Sequence, residues 1–343
     1  MTVFASGGGD ASPGNCRFRI RGLDMTTYII RRLIMAVVTL WLVTLVVFFA
    51  MRLLPGDPLI IFLGESVQSG NMTSEQLAKL RVEYGLDKPL VVQYLTWVTG
   101  LVHGNLGTSI HYHEDVGKLM AERFPITLHL GLLAFLIEAT LGILLGLIAA
   151  VRRGTWVDAA ATTFANIGVC VPVFWLGLLL TYVFGLKLGL LPIAGYTSPF
   201  DNFWMSTKQI IMPVACLAIG SMSFTARQMR SSMLEVVRQD YIRTAWSKGL
   251  RERTIILRHA LKPSLIPVIT VLGISAAMVL GGSVLVETVF AIPGVGRLLV
   301  SSIFAQDYVV IQSGTFVIAT IIILLNLIVD ISYGWIDPRI RYS

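Results

Sequence analysis

Six long stretches of the 343-residue chain contain almost no charged side chains, and they constrain its fold more than any other feature. A hydrocarbon core of about 30 Å requires roughly 20 apolar residues in a helix that rises about 1.5 Å per residue. The stretches that approach or exceed this length are residues 33–51, 126–151, 159–186, 209–226, 264–286 and 308–329. They are too uniformly apolar for barrel strands, whose residues alternate with a period of two. We therefore expect an all-α integral membrane protein with six transmembrane helices.

The overall charge and the cysteine content exclude several other classes of protein. Only 14% of the residues are charged, against about a quarter in soluble domains, and the formal net charge is +7. Nucleic-acid binding would need this charge to cluster on a water-exposed domain face, so we expect no nucleic-acid partner. The three cysteines, Cys16, Cys170 and Cys216, lie far apart. Their spacing predicts neither a disulfide framework nor a metal site.

The basic residues between the apolar stretches indicate how the helices are oriented. Arg31 and Arg32 precede the first stretch, Arg152 and Arg153 separate the second from the third, and segment 227–263 contains nine Lys and Arg residues against three acidic residues. Cytoplasmic loops of membrane proteins carry an excess of Lys and Arg. If six helices alternate in direction, all three groups lie on the cytoplasmic side, which also places both termini there. Segment 52–125 is then external.

Residues outside the apolar stretches are expected to have separate roles. Residues 1–24 are rich in Gly, Ser and Arg and lack the apolar stretch of a secretory signal, so we expect a disordered extension before a membrane domain at 25–343. Met25 would itself make a sensible start. In the external segment, Thr73 and Gln76 form a capping box for a helix that Gly85 ends. A second short helix is predicted from Pro89, with aromatic side chains suited to packing or to the membrane interface.

Segment 227–263 contains a short amphipathic helix between basic stretches. Its side chains form two neighbouring faces, with Tyr241, Ala245 and Gly249 on the first and Ile242, Trp246 and Leu250 on the second. Asp240 is predicted to cap the start of this helix and Gly249 to end it. A second helical stretch, 254–261, leads into the fifth apolar stretch. Such a helix suits docking into a groove on another protein, and the alternative is a solvated basic loop at an anionic membrane surface.

Several segments together resemble those of a known transport family. Residues 240–249, followed by 255–263, resemble the EAA loop of bacterial ABC-importer permeases, with Thr244-Ala245 in place of Ala-Ala. Similarity to the dipeptide, oligopeptide and nickel branch of this family extends to Leu-Pro-Gly-Asp-Pro at 54–58, Tyr-Gly-Leu-Asp-Lys-Pro at 84–89, Gly-Asn-Leu-Gly-Thr-Ser at 104–109, Pro-Gly-Val-Gly-Arg at 293–297 and Asp-Pro-Arg-Ile-Arg at 337–341. The resemblance covers the chain from Met25 to its end.

The resemblance implies a type I importer-like permease in a bacterial or archaeal inner membrane, with a cytoplasmic coupling helix. Its implied partners are a homologous permease, two ATP-binding cassette ATPases, an extracytoplasmic solute-binding protein and membrane lipid. The implied solutes are dipeptides or oligopeptides, with nickel or another small solute as the alternative within the family. The residues that would contact the ATPase are Asp240, Tyr241, Arg243, Thr244, Ala245, Lys248, Gly249 and Leu250.

The sequence contains no recognisable catalytic or cofactor motif. It has no G-x-x-x-x-G-K-[ST] phosphate loop, no HExxH and no Ser-His-Asp arrangement, so we expect neither an enzyme nor a cofactor. The loop His111-Tyr112-His113-Glu114-Asp115 is a weak metal signal, and a solvent-exposed loop tip is the simpler interpretation.

Within the apolar stretches, Glu138 is a candidate for the translocation path or for helix packing. His129, Asn166 and Asn326 suit interhelical hydrogen bonds. Gly142 and Gly146 suit close helix approach, and Pro172 suggests a bent third helix. An ion-gradient-driven transporter is the competing class, but it predicts several intramembrane ionisable groups rather than Glu138 alone.

Overall fold

The computed structural model describes residues 25–53, 79, 82 and 87–336, and the regular elements in these ranges are helices. We label them α1 (Met25–Leu53), α2 (Leu90–Val102), α3 (Val116–Val151), α4 (Trp156–Cys170), α5 (Val173–Leu180), α6 (Phe203–Val236), α7 (Asp240–Ser247), α8 (Leu261–Val289), α9 (Val295–Phe304) and α10 (Tyr308–Ile336). A π-helical segment, Thr181–Lys187, prolongs α5. A helical turn, Glu252–Thr254, and a second π-helical segment, Ile255–Ala260, lead into α8. The all-α membrane architecture predicted from the sequence is confirmed.

Among the described residues, five helices are long and apolar enough to cross a membrane, and a sixth span results if α4 and the segment Val173–Lys187 are counted together. The weakest of the six apolar stretches, 209–226, lies in α6, where 67% of the most apolar window is buried, the largest share among the five. The third stretch is not one straight helix, because α4 and the segment Val173–Lys187 meet at 103°. Pro172 stands at this break, where it cannot donate the backbone hydrogen bond that would continue α4.

The core of the bundle is the contact of α6 with α3 on one side and α8 on the other. Gly142 and Gly146 of α3 permit this approach. A Cβ atom at Gly142 would lie 2.9 Å from the Cβ of Thr225, and one at Gly146 would overlap the carbonyl oxygen of Ala226. The predicted role of the two glycines in close helix approach is therefore confirmed. Apolar side chains from all three helices fill the space between them: Leu130, Ala134, Met212, Cys216, Val279 and Val286.

Helix α1 lies at the side of the bundle, where it packs against α10 and α2. The hydroxyl groups of Thr44 and Tyr94 lie 3.0 Å apart, and the Phe48 ring stacks on Trp97 with their centroids 6.1 Å apart. The short helix predicted from Pro89 is thus confirmed as α2, and its aromatic residues pack on a neighbouring helix. The predicted capping box at Thr73 lies outside the described residues, as do residues 1–24, 54–58 and 337–341.

A buried carboxylate, Glu287, organises the end of the bundle where α8 meets α9. Thr127 Oγ1 donates to Glu287 Oε1 at 2.7 Å, and the backbone N–H of Arg297 donates to Oε2 at 3.0 Å. A Cβ atom at Gly294 or Gly296 would overlap this carboxylate. The Pro-Gly-Val-Gly-Arg motif therefore wraps its backbone around Glu287. We call this end of the bundle the Glu287 end.

A second buried carboxylate, Asp307, fastens the loop before α3 to the start of α10. Its Oδ2 accepts from Ser109 Oγ at 2.5 Å and from the backbone N–H of His111 at 3.0 Å, and its Oδ1 accepts from the backbone N–H of Val310. Ser109 Oγ also accepts from the backbone N–H of Tyr112 at 2.8 Å. The Gly-Asn-Leu-Gly-Thr-Ser segment is therefore part of a hydrogen-bonded joint across almost 200 residues of sequence.

Candidate functional site

Helix α7 lies between α6 and α8 at the end of the bundle opposite Glu287, which we call the α7 end. Two of its side chains are buried, Ile242 at 0% and Ala245 at 7% exposure. They belong to an apolar cluster with Met229 and Met233 of α6, Ile255 and Ala260 of the π-helical segment, and Val268 of α8. Because this cluster joins α7 to two membrane-spanning helices, a force on α7 is transmitted directly to both.

The buried stripe of α7 lies across the boundary between the two predicted faces. This buried stripe consists of Ala245, from the first predicted face, and Ile242, from the second. The two lie together because residues three apart are on the same side of a helix. Ala245 is therefore covered by the chain itself. The other predicted contact residues are exposed: Asp240, Tyr241, Arg243, Thr244, Lys248, Gly249 and Leu250. The structure thus brings seven of the eight together on one accessible surface.

The ends of α7 differ in how well the sequence predicts them. Asp240 is the first helical residue and not the cap, since Gln239 occupies the capping position without a side-chain hydrogen bond. The Asp240 side chain is 97% exposed and pairs with Arg243 at 3.6 Å. Gly249 ends the helix as predicted. Its φ of +71° is a left-handed conformation that favours glycine, and a Cβ atom there would meet nothing within 4 Å.

Trp246 is an exposed aromatic residue of α7 that the sequence-based site did not include. Its side chain is 47% exposed, as is that of Tyr241. The two rings flank the buried stripe on opposite sides, since the residues are five apart in a helix of 3.6 residues per turn. Partial burial raises the pKa of Tyr241 above its usual value, because burial disfavours the charged phenolate. The accessible surface of α7 is therefore amphipathic, with two aromatic groups beside basic side chains.

An ion pair joins α4 to α6 at the α7 end. Arg230 Nε donates to Asp158 Oδ1 at 2.7 Å and Arg230 Nη2 to Oδ2 at 2.9 Å, while the backbone N–H of Gly154 also donates to Oδ2 at 3.0 Å. The Asp158 side chain is only 10% exposed. A bidentate arrangement fixes direction as well as distance. No local sequence pattern predicts this pair, because its partners are 72 residues apart.

Glu138 of α3 lies in a contact between helices. It is completely buried, and Thr225 Oγ1 of α6 donates to its Oε1 at 3.0 Å. The second oxygen, Oε2, is buried and has no hydrogen-bond partner within the part of the chain that the structure describes. Its complete burial and the contact with Thr225 favour the packing alternative, in which Glu138 links α3 to α6, over a role as a wall residue of the translocation path.

The other intramembrane polar residues differ from the prediction of interhelical hydrogen bonds. His129 Nδ1 lies 2.9 Å from the hydroxyl of Tyr196, which belongs to the connection between the π-helical segment and α6. Asn166 and Asn326 are exposed, and neither side chain has a hydrogen-bond partner within the part of the chain that the structure describes. Exposed amide groups in membrane-spanning segments require a hydrogen-bond partner, so each of these two needs one other than the described residues.

Two cavities have contrasting linings. A cavity of 540 Å³ between α3, α4 and α6 is lined almost completely by apolar side chains, including Ile137, Phe164 and Met222. A cavity of 210 Å³ at the Glu287 end lies between α1, α2 and α10. The lining of this second cavity includes polar side chains, and among them Arg52 Nη2 donates to Gln93 Oε1 at 2.8 Å.

The loop His111 to Asp115 acts as a helix start. Asp115 Oδ1 accepts from the backbone N–H of Lys118 at 3.0 Å and so caps α3. The His111 ring packs edge-on against Tyr112, with centroids 4.8 Å apart. Among the described residues, no group of three or more His, Cys, Asp or Glu side chains is arranged to hold a metal ion.

Comparison with known proteins places these features in one family. The protein-family model described as "Binding-protein-dependent transport system inner membrane component" matches residues 142–342. The family model of the N-terminal part of such components matches residues 25–131. A putative peptide transport system permease protein of Brucella abortus is 41% identical over 319 residues. The dipeptide transport system permease protein DppB of Escherichia coli K12 is 37% identical over 342 residues. Each comparison covers 93% of this chain and 100% of the relative.

The fold also resembles solved membrane transporters. A chain of the MetNI methionine ABC transporter in an inward-facing conformation matches with a TM-score of 0.52 and 16% sequence identity. The match covers 64% of this chain and 96% of that chain. At this identity the likeness concerns the fold alone, and it confirms the helical architecture expected of a type I importer permease.

Proposed function

Because the chain belongs to the family of binding-protein-dependent inner-membrane transport components and is the permease subunit of such an ABC importer, we propose that its solutes are short peptides. The similar proteins of Brucella abortus and Escherichia coli are named as peptide and dipeptide permeases, and both are matched over their full lengths. A nickel importer of the same family is the alternative. The names of these two relatives leave peptides as the solute class with the stronger support.

The proposed complex contains a homologous partner permease, two ATPases and an extracytoplasmic solute-binding protein. In this arrangement, residues 227–263 face the cytoplasm together with both termini, and the Glu287 end faces the binding protein. The nine basic residues of this segment support that orientation. Solute selectivity then resides largely in the binding protein, while the permease supplies the path.

The observation that carries the coupling role is the anchoring of α7. Ile242 and Ala245 hold it to α6 and α8, while Tyr241, Arg243 and Trp246 remain accessible. We assign the exposed residues Asp240, Tyr241, Arg243, Thr244, Lys248, Gly249 and Leu250 to contact with the ATPase, and Ala245 to the joint within the permease. Nucleotide-driven closure of the ATPases would displace α7 and, through the apolar cluster, the two membrane helices.

Transport by the purified complex tests the function. Proteoliposomes that contain the permease pair, the ATPases and the binding protein should accumulate a labelled dipeptide only when ATP and the binding protein are both present. Nickel uptake under the same conditions would favour the alternative solute. Uptake driven by a proton gradient without ATPases would contradict the proposal.

A substitution at Gly249 tests the coupling surface. Gly249→Trp should reduce ATPase copurification and uptake, because a bulky side chain would project from the contact surface at a strained φ. Gly249→Asn serves as the control, since asparagine tolerates left-handed backbone better than other residues with a side chain. Normal ATPase recovery and uptake with both variants would contradict the assigned contact.

A further inference from the structure

The broken span formed by α4 and α5 places irregular backbone inside the membrane. Helix α4 has 15 residues, which correspond to about 22 Å of length. This is shorter than the hydrocarbon core of about 30 Å. Because α4 begins at Trp156, next to the basic turn with Arg152 and Arg153, its other end at Cys170 lies within the depth of the hydrocarbon.

The break exposes backbone that lipid cannot satisfy. The final carbonyl groups of a helix lack partners within it, and Pro172 has no N–H to offer to the end of α4. Cys170 and Pro172 are both exposed in this chain. Irregular backbone at membrane depth occurs only where it is buried in protein or lines a water-filled cavity. Lipid therefore does not cover this side of the break.

The exposed surface of α4 divides into two stripes of opposite character. Asp158, Ala165 and Gly168 are buried on one side of the helix, and a Cβ atom at Gly168 would overlap the hydroxyl of Ser223 in α6. Next to this buried side, the exposed residues Thr163, Asn166 and Cys170 fall within a sector of about 60°, given 3.6 residues per turn.

The second stripe, which includes Phe164 and Ile167, is apolar and exposed. Phe164 lines the apolar cavity next to α3, on the side of α4 away from the polar stripe. Acyl chains suit the apolar stripe. They do not suit an amide and a hydroxyl group side by side, because unsatisfied polar groups in hydrocarbon are costly.

We propose that Thr163, Asn166 and Cys170, together with the exposed Pro172 at the α4–α5 break, line a water-filled path for the transported solute. Hydroxyl, amide and carbonyl groups offer hydrogen bonds that a hydrated, zwitterionic solute with amide groups can exchange one after another. None of the three side chains is charged, so the path does not retain either end of such a solute tightly. The peptide nature of this solute rests on the proposed function, whereas the water-filled path does not.

Cys170 is a natural probe of this path. A variant with Cys16→Ser and Cys216→Ala keeps Cys170 as its only cysteine. The assembled complex in proteoliposomes is treated with a positively charged, membrane-impermeant methanethiosulfonate. This reagent reacts with the thiolate, which forms readily in water and poorly in apolar surroundings. The matched control replaces Cys170 by Ala and introduces Ile167→Cys on the apolar stripe.

We expect Cys170 to react at least about tenfold faster than the cysteine at position 167, since thiolate formation depends on contact with water. Equal rates, or an unreactive Cys170, would overturn the proposal and place the stripe against lipid or a dry protein contact. The labelling requires no solute. A difference in rate would therefore persist if the complex proved to carry a solute other than a peptide.

Uptake provides a second, independent measurement. Asn166→Leu should reduce dipeptide uptake several-fold while recovery of the assembled complex and its ATPase activity remain normal. Ile167→Leu, on the adjacent apolar stripe, should leave uptake unchanged. If uptake by the Asn166→Leu complex equals that of the original protein, the polar stripe does not line the path.

Discussion

The two ends of the bundle are held together by different kinds of contact. At the Glu287 end, two completely or almost completely buried carboxylates accept hydrogen bonds from backbone N–H groups and from the hydroxyls of Thr127 and Ser109. At the α7 end, an apolar cluster and the ion pair between Asp158 and Arg230 make the connections. Directional hydrogen bonds to backbone fix one geometry, whereas apolar contacts tolerate small displacements.

This difference indicates which end moves and which end serves as a frame. A carboxylate surrounded by backbone donors cannot shift without leaving buried donors unpaired, at about 1–3 kcal/mol for each. The apolar side chains around Ile242 meet by non-directional contacts, so a small displacement leaves no buried donor among them unpaired. We therefore expect the Glu287 end to behave as a rigid frame and the α7 end as the adjustable part.

Loss of the Glu287 carboxylate should have the largest effect. Glu287→Ala would leave the Thr127 hydroxyl and the Arg297 N–H without their acceptor, and should lower the free energy of unfolding by about 3–5 kcal/mol. Glu287→Gln keeps one acceptor oxygen and should therefore lower the free energy of unfolding less than Glu287→Ala does. Thermal unfolding of the detergent-solubilised protein measures both. An unchanged midpoint for the alanine variant would contradict the rigid frame.

Steric crowding at the Glu287 end should lower the free energy of unfolding somewhat less than loss of the carboxylate does. A Cβ atom at Gly296 would lie 2.5 Å from the Cα of Val284, which is backbone and cannot rotate away. Gly296→Ala should therefore destabilise the protein by about 2–3 kcal/mol. Gly281→Ala is the matched control, because a Cβ atom there meets nothing within 4 Å. Equal midpoints for the two variants would show that α9 can shift away from α8 at little cost in stability.

Truncation of Ile242 should affect coupling more than the stability of the membrane helices. Ile242→Ala removes a completely buried side chain from the contact of α7 with α6 and α8, at about 2 kcal/mol, the low end for such a change. We expect dipeptide uptake to fall several-fold, while ATP hydrolysis continues without matching uptake. The measurement is the ratio of the two rates. A normal ratio would mean that α7 transmits force by another contact.

The ion pair at the α7 end should contribute about 1 kcal/mol, since the Arg230 side chain is 31% exposed and solvent weakens the attraction. Asp158→Asn and Arg230→Gln should each lower the unfolding midpoint slightly. A double-mutant cycle on these changes isolates the pairwise energy. Additive effects of the two substitutions would show that the pair does not connect α4 to α6 energetically.

The smallest effect is expected at Arg243, which has a 75% exposed side chain on the free surface of α7. Arg243→Ala should change the free energy of unfolding by less than about 0.5 kcal/mol, as is usual for surface positions. Copurification of the ATPase with this variant should nevertheless decrease. A loss of stability together with normal copurification would reverse the assignment of this face.

Features governed by local sequence were predictable, because they depend on residues close together in the chain. The glycine that ends α7, the start of α2 after Pro89 and the close approach at Gly142 all depend on backbone conformation or residue size. Apolar length likewise identified the membrane helices. Apolar length gave the weakest prediction for α6. A helix that protein covers on most sides does not need the continuous apolar surface of a lipid-facing helix.

Features that depend on distant partners could not be predicted from one sequence. The partners of Glu287 lie 160 and 10 residues away, and Asp307 pairs with Ser109 across 198 residues. No local pattern encodes such distances. The burial of Ala245 was missed for a related reason. A small residue fits either a partner's groove or the chain's own core, and only the position of α6 and α8 decides between them.

Helix α6 has a consequence for the thermodynamics of the whole complex. Its 34 residues, with Pro213 inside the helix, extend about 51 Å from the Glu287 end into the cluster beneath α7. A continuous element that two ligands both bias must couple them equally in both directions. If nucleotide binding changes the affinity of the complex for a loaded binding protein by a given factor, the loaded binding protein must change nucleotide affinity by that same factor. Nucleotide affinity would thus report from inside the cell whether a loaded binding protein is docked outside.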